Sequence, residues 1–168
     1  MAMFQAADVR NFVGGFYFEV SFETESDDVS PGEINQSFTR VSGVVSQSEQ
    51  MEFMQGTDPF VMKAPGRSSF EDVTLERVYN GQDAFYKWRK AIQGGAIIMG
   101  TVHIRIYKRD GTEIRHMVCD HAWPSRWEMP ELDASGSGPA IERITLTVRE
   151  VYEGEVAEAE EAETTTTA

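Results

Sequence analysis

The sequence predicts a mainly β fold, a barrel or sandwich of short strands with one short α-helix. Three observations predict it. Apolar and polar residues alternate with a period of two in "FYFEVSFE", in "GTVHIRIY" and in "AIERITLTVREVY", the pattern of strands that bury one face. One stretch alone, "GQDAFYKWRKAIQGG", moves to helical spacing. Between these segments lie short runs rich in Gly, Pro, Asp and Ser, which punctuate a strand-rich chain.

In the first strand Phe16, Phe18, Val20 and Phe22 face one way, and Tyr17, Glu19, Ser21 and Glu23 the other. After the turn-rich "SDDVSPGEIN", a second strand is expected at "QSFTRVSGVVS", with Gly43 marking a bulge or a close backbone approach. A third strand is expected over residues 69–79. Between the second and third, residues 48–66 form a long connection with Pro59, Pro65 and a set of apolar side chains: Met51, Phe53, Met54, Phe60, Val61 and Met62. Long connections in compact domains are usually functional or flexible, and one this apolar is costly to leave in water. The absence of clean alternation favours contact with another chain; a short extra strand folded onto the core is the competing reading.

The helix is expected near residues 82–93, with Asp83 as its cap and Gly94 and Gly95 as its stop. Phe85, Trp88 and Ile92 share one stripe, which reads as a face docked on a sheet rather than a ligand box. Next comes a hairpin around Asp110-Gly111, read as a two-residue type I′ turn. That register sets Val102, Ile104 and Ile106 against Cys119, Met117 and Arg115 on a core face. His103, Arg105 and Tyr107 oppose Val118, His116 and Ile114 on the other. The final strand puts Ile144, Leu146 and Val148 on one side, and Arg143, Thr145, Thr147 and Arg149 on the other.

At 168 residues the chain fits one domain, expected over residues 1–152, followed by an acidic and flexible tail over 153–168. The net charge is −13, and without the six Glu of the tail the rest still carries 22 acidic against 15 basic residues, a net −7. A body of that sign repels a phosphate backbone, which excludes nucleic-acid binding driven by counterion release. The basic runs "YKWRK" and "RIYKRD" read as solvated faces. The single cysteine, Cys119, has no partner for an internal disulfide, no basic-then-apolar leader opens the sequence, and the longest apolar run, "AIIM", is far short of a membrane helix. The expectation is a chain made in a reducing compartment, with no membrane insertion. The "NQS" sequon at Asn35 carries little weight there.

No catalytic, cofactor or metal site emerges. "HMVCDH" offers His116, Cys119, Asp120 and His121, but strand geometry sends His116 and Asp120 to one face and Cys119 and His121 to the other. His103 can approach His116 diagonally, yet Arg105 sits opposite His116 and repels a cation. "SGSGP" lacks the glycines of a nucleophile elbow, and no phosphate-cradling glycine motif joins a strand to a helix.

Two of the three tryptophans fall in "DHAWPSRWEMPELDA", directly after the hairpin. With Trp123-Pro124, Trp127, Leu132-Asp133-Ala134 and Ala140-Ile141-Glu142 before the last strand, the chain resembles the tail-tube proteins of contractile phage tails and contractile injection systems. "FYFEVSFE", "FTRVSGVVSQSE" around Gly43, "VTLER" and the helix with Trp88 follow in the order of that family, so the resemblance spans residues 16–152. It implies that Trp123, Trp127 and Leu132 pin a crossover against the core while Pro124 and Pro130 hold it extended. It also implies a subunit that joins its neighbours into a hexameric ring, the rings stacking into a hollow tube inside a sheath. Partners would be other copies of itself, sheath, baseplate and tail-terminator proteins, with DNA or protein cargo passing through the lumen unbound. Assembly would take place in the cytoplasm before incorporation into a virion or injection particle. Met51, Phe53, Met54, Phe60, Val61 and Met62 then become contacts between subunits or rings, and acidic strand faces would give a lumen to which DNA does not stick. The alternatives are a type VI secretion ring protein that carries effectors, a monomeric β-barrel that binds a small ligand, and, last, an enzyme.

Overall fold

The computed structural model describes residues 17–24, 38–54, 56, 60–133, 135–136 and 138–156. In chain order these form β1 (Phe18–Thr24), β2 (Phe38–Ser42), β3 (Ser46–Phe53), β4 (Met62–Phe70), β5 (Val73–Val78), α1 (Ala84–Gln93), β6 (Gly100–Tyr107), β7 (Glu113–Glu128), β8 (Ile141–Thr147) and β9 (Glu150–Glu153). Seven strands form one antiparallel sheet in the order β1-β6-β7-β8-β5-β2, with β9 added beside β7. β3 and β4 form a separate two-stranded sheet.

The alternation in the sequence is what closes the sheet around a core. Val20 and Phe22 of β1 pair with Ile104 and Val102 of β6, and Leu75 of β5 pairs with Ile144 of β8, all buried. The sheet curls until its two end strands meet through side chains, Phe22 of β1 lying 5.9 Å from Phe38 of β2 between ring centroids. α1 fills the space that remains: Phe85 and Trp88 are fully buried and meet Phe22 edge-on at 5.8 and 6.3 Å. Each such aromatic removes roughly 150–250 Å² from water, an upper-bound contribution of about 4–6 kcal/mol. The Trp88 indole N–H donates to the Ile98 carbonyl at 3.1 Å, so the ring is buried without an unmet donor.

β7 is the strand that joins the two halves of the sheet. Its first part lies between β6 and β9, and its second part pairs with β8. The change of partner falls at His121, whose φ of 50° is the only positive value among the described non-glycine residues. Arg149 N–H, in the gap between β8 and β9, donates to the Asp120 carbonyl at 3.1 Å and fixes that corner.

Several expectations are corrected. The strand expected over residues 69–79 is two, broken between Phe70 and Val73. Gly43 lies against the break: its φ is 86°, and any Cβ there would collide with the Asp72 carbonyl, so the expected close backbone approach is present. The connection over residues 48–66 is neither a loop nor a strand on the core but the projecting β3–β4 hairpin. The Asp110-Gly111 turn is not type I′, which requires positive φ at both central residues; only Gly111 has it, at 87°. Gly111 N–H donates to the Lys108 carbonyl and Lys108 N–H to the Thr112 carbonyl, a three-residue loop ending in a left-handed glycine. A bulge between Ile106 and Tyr107 restores the expected register, so Val102 to Ile106 pair with Cys119 to Arg115 as the alternation requires.

Asp83 sits at the helix start but makes no capping bond; its carboxylate pairs with Lys87 at 3.1 Å instead. Gly95, with φ 94°, rather than Gly94, supplies the left-handed stop. The segment with both tryptophans is no crossover: β7 runs through Trp123, Pro124 and Trp127. The last expected strand is also two, and the boundary expected after Tyr152 falls inside β9. The expected tail lies outside the described residues from 157 onward, and Phe16 and Ala134 lie outside them too.

Candidate assembly surfaces

The β3–β4 hairpin leaves the body at Glu71, whose N–H donates to the Val45 carbonyl at 3.1 Å. All eight residues of β3 are exposed. Register separates its two faces near the tip. Phe53 opposite Met62 and Met51 opposite Ala64 make one side apolar, while Glu52 opposite Lys63 makes the other polar, the pair lying 3.4 Å apart. Met54 and Phe60, at the turn, are 73% and 76% exposed, and Val61 continues the apolar surface. All six apolar residues picked out in the sequence therefore cluster at one end of one projecting element, away from the core. The clean alternation of Met51 and Phe53 is hidden in the sequence by Met54 and by the masking effect of polar residues on both faces nearer the base.

The outward faces of the curled sheet are polar, and several of their acids have partners. On the β7–β8–β5 side Arg143 bridges Glu76 at 2.8 Å and Glu128 at 2.9 Å, and this pairing raises the Arg143 pKa. On the β1–β6 side Tyr107 donates to Glu19 at 3.0 Å, burial and then that bond raise the phenol pKa, and Arg105 donates to Ser21 at 3.1 Å. The β7–β8–β5 face is therefore ion-paired around Arg143, whereas on the β1–β6 face Glu19 takes a neutral phenol donor.

The residues that carried the resemblance are mostly structural. Pro124 is buried opposite Leu146, and its missing N–H falls where the ladder is already irregular, between Pro124 and Arg126. Trp123 is half-buried opposite Thr147. Leu132, expected to pin the chain to the core, is 74% exposed in the stretch after β7.

Glu142 has the largest role, through a partner the sequence reading missed. It accepts from Arg77 Nε at 2.6 Å and from the Trp127 indole N–H at 2.7 Å. Arg77 and Glu142 are each 1% exposed, and the guanidinium lies over the Phe85 ring at 4.4 Å. Tyr86 packs on Trp127 at 5.1 Å, so one network ties α1 to β5, β7 and β8. A signal existed: Arg77 shares the face of Val73 and Leu75, and Glu142 that of Ile144 and Leu146, placing opposite charges at core positions of two strands.

Among the described residues no three potential metal ligands come together. Cys119 is buried on the core face and burial pushes its thiol up to about 11, leaving it an inert apolar filler. No described helix is long and apolar enough to cross a membrane.

The sequence matches the family described as T4-like virus tail tube protein gp19 over residues 14–152. Comparison with curated protein sequences finds no significant match. Among solved structures, the fold is similar to a chain of the sheath-tube complex of an extracellular contractile injection system, PVC, in its extended state, with a TM-score of 0.73, 22% identity, and 91% of this chain and 99% of that one covered. It is also similar to a chain from the cap of the anti-feeding prophage, with a TM-score of 0.72, 23% identity, and 94% and 95% covered. A chain of the baseplate of that particle matches at 0.73 and 19% identity over 85% of this chain and 95% of that one. At these identities the likenesses establish the fold. The match covering nearly all of the described body establishes the family, and the chain belongs to the T4-like tail tube proteins.

Proposed function

We propose that this chain is the structural subunit of the hollow inner tube of a contractile phage tail or contractile injection system. It assembles as homohexameric rings that stack inside a sheath, meets baseplate and terminator proteins at the tube ends, and forms a conduit for DNA or protein cargo. The observation that carries this reading is the apolar face at the end of the β3–β4 hairpin, on a fold of the tail tube family. An isolated subunit leaves Met51, Phe53, Met54, Phe60, Val61 and Met62 in water, a patch that marks a protein contact. Burying each against a neighbour is worth roughly 1.5–3 kcal/mol. Among the described residues β1 and β2 also end the sheet with one bonded neighbour each, edges that pairing across subunits would cover.

A ligand-binding barrel is less well supported, because Phe22, Phe85 and Trp88 fill the space inside the sheet. The role is architectural, with no chemistry assigned. Replacing Phe53→Asp together with Met54→Asp places charge on a solvated hairpin, so the subunit should keep its circular dichroism and melting behaviour yet form no tubes by electron microscopy. Normal tubes from that variant would remove the hairpin from the interface.

A further inference from the structure

The outward face of β6 and β7 holds two histidines whose hydrogen bonds fix each other. His116 Nδ1 lies 2.9 Å from the Glu155 carbonyl, and His116 Nε2 lies 2.9 Å from His103 Nδ1. A carbonyl oxygen only accepts, so His116 carries its proton on Nδ1 and, when neutral, offers a bare Nε2. His103 must then donate from Nδ1, which leaves its own Nε2 bare. That atom is buried without a hydrogen bond and faces Glu23 Oε1 at 3.6 Å, beyond bonding range. Both rings sit under cover, His116 at 8% exposure and the His103 side chain at 14%. The cover is the chain just after β9: Gly154 N–H donates to the His116 carbonyl at 2.8 Å, and a Cβ on Gly154 would stand 2.6 Å from His116 Nδ1.

We propose that His103 and His116 form a proton-sensitive latch that fastens β9 and residues 154–155 onto β7, closed when both rings are neutral and opened by acid. The charged groups around it are Glu23 from β1, Arg105 from β6, and the Glu153–Arg115 pair, 3.2 Å apart, on the β9 side. One proton can enter at His103 Nε2, where Glu23 offsets part of the charge. A second, at His116 Nε2, sets N–H against N–H and ends the bond between the rings. Opening the latch relieves that conflict, so opening takes up protons. Burial, the largest influence, holds the His103 pKa below its ordinary 6.5 while Glu23 works against it. A folded value below the unfolded one means that the contribution to stability is whole above about pH 6.5 and is lost as pH falls. Each proton taken up shifts the opening equilibrium by up to roughly tenfold per pH unit. β9 has only four residues, so its release can occur with the rest of the sheet intact, and it exposes the backbone of β7 from Met117 to Asp120.

The full chain, labelled with ¹⁵N-histidine and ¹⁵N-glycine, gives three ring systems and the Gly154 amide to follow by nuclear magnetic resonance, in solution as subunits or in the solid state as tubes. In the closed latch both His103 and His116 should be Nδ1–H tautomers, with the Gly154 amide shifting as His103 titrates. A neutral Nε2–H tautomer at His116, or a Gly154 amide indifferent to that titration, overturns the latch. His103→Gln supplies a second reading, because a glutamine amide can turn to give His116 either an N–H or a carbonyl and so accepts both protonation states. Cleavage of β9 by a glutamate-specific protease, expressed as wild type over His103→Gln so that the enzyme's own pH dependence cancels, should rise several-fold or more per unit from pH 7 to 5. A ratio flat within about twofold would count against the proposal, and the tautomer measurement decides it even where the variant fails to fold.

Discussion

Arg77→Met isolates the energetics of the buried charge pair that holds α1 to the sheet. The substitution leaves the Glu142 carboxylate at 1% exposure with one remaining donor, the Trp127 indole at 2.7 Å. Unit charges about 4 Å apart attract by about 4 kcal/mol at an effective dielectric of about 20, and stranding one member of a buried pair typically costs about 3–5 kcal/mol. Glu142→Gln keeps the bond to Trp127 but leaves the guanidinium with the Phe85 ring alone, its Nη1 and Nη2 having no hydrogen-bond partner in any case. That change should cost a similar amount. The double variant strands no charge, because the desolvation penalty of both ions disappears with their attraction, so it should lie at least about 2 kcal/mol above the sum of the singles. Urea unfolding followed by tryptophan fluorescence, at a concentration where the subunit is monomeric, supplies the four free energies of the cycle. Additive losses, with a coupling below about 0.5 kcal/mol, would refute the claim that Arg77 and Glu142 act as one buried unit.

Gly43→Ala should destabilise by at least about 1–3 kcal/mol, since φ of 86° is strained for alanine and the new methyl meets the Asp72 carbonyl; an unchanged melting temperature would contradict this. Leu132→Ser should stay within about 0.5 kcal/mol of wild type in the isolated subunit, because the leucine touches water rather than the core. The Cys119 thiol, raised to about 11, should resist a thiol reagent at pH 8 until urea unfolds the chain, when one thiol per chain reacts; rapid reaction of the native protein would place it outside the core.

What the sequence revealed and what it hid follow from how many faces each segment buries. β1, β6, the first part of β7 and β8 bury one face, and period-two alternation exposed both their existence and the register of Val102 to Ile106 against β7. That register survived a wrong turn type because alternation, not the Asp-Gly pair, decides which side faces the core. β3 buries neither face and β4 only half-buries Ala64, Gly66 and Phe70, so little pattern marked them, and Pro65 is tolerated in the two-stranded ribbon opposite Gln50. The second part of β7 was expected to be a crossover that Pro124 holds extended, and Pro124 instead lies within the strand beside an irregularity of the ladder. The breaks at Glu71 and at Val148–Arg149 hide inside continuous alternation, although burial changes across each, from the exposed β4 to the core strand β5 and from the core strand β8 to the exposed β9. Arg77 was readable in principle, as a charge on the parity of Val73 and Leu75, but its mate lies 65 residues away and only strand pairing brings them together. The apolar hairpin tip was legible as a set of residues; its shape was not.

Electron microscopy of the purified chain over a concentration series, with its mass measured in the same samples, tests the central claim most directly. The account predicts six-subunit rings that stack into hollow tubes as concentration rises, and their loss when Phe53 and Met54 become aspartate. A chain that stays monomeric at every concentration, with and without preformed baseplate as a template, would contradict it.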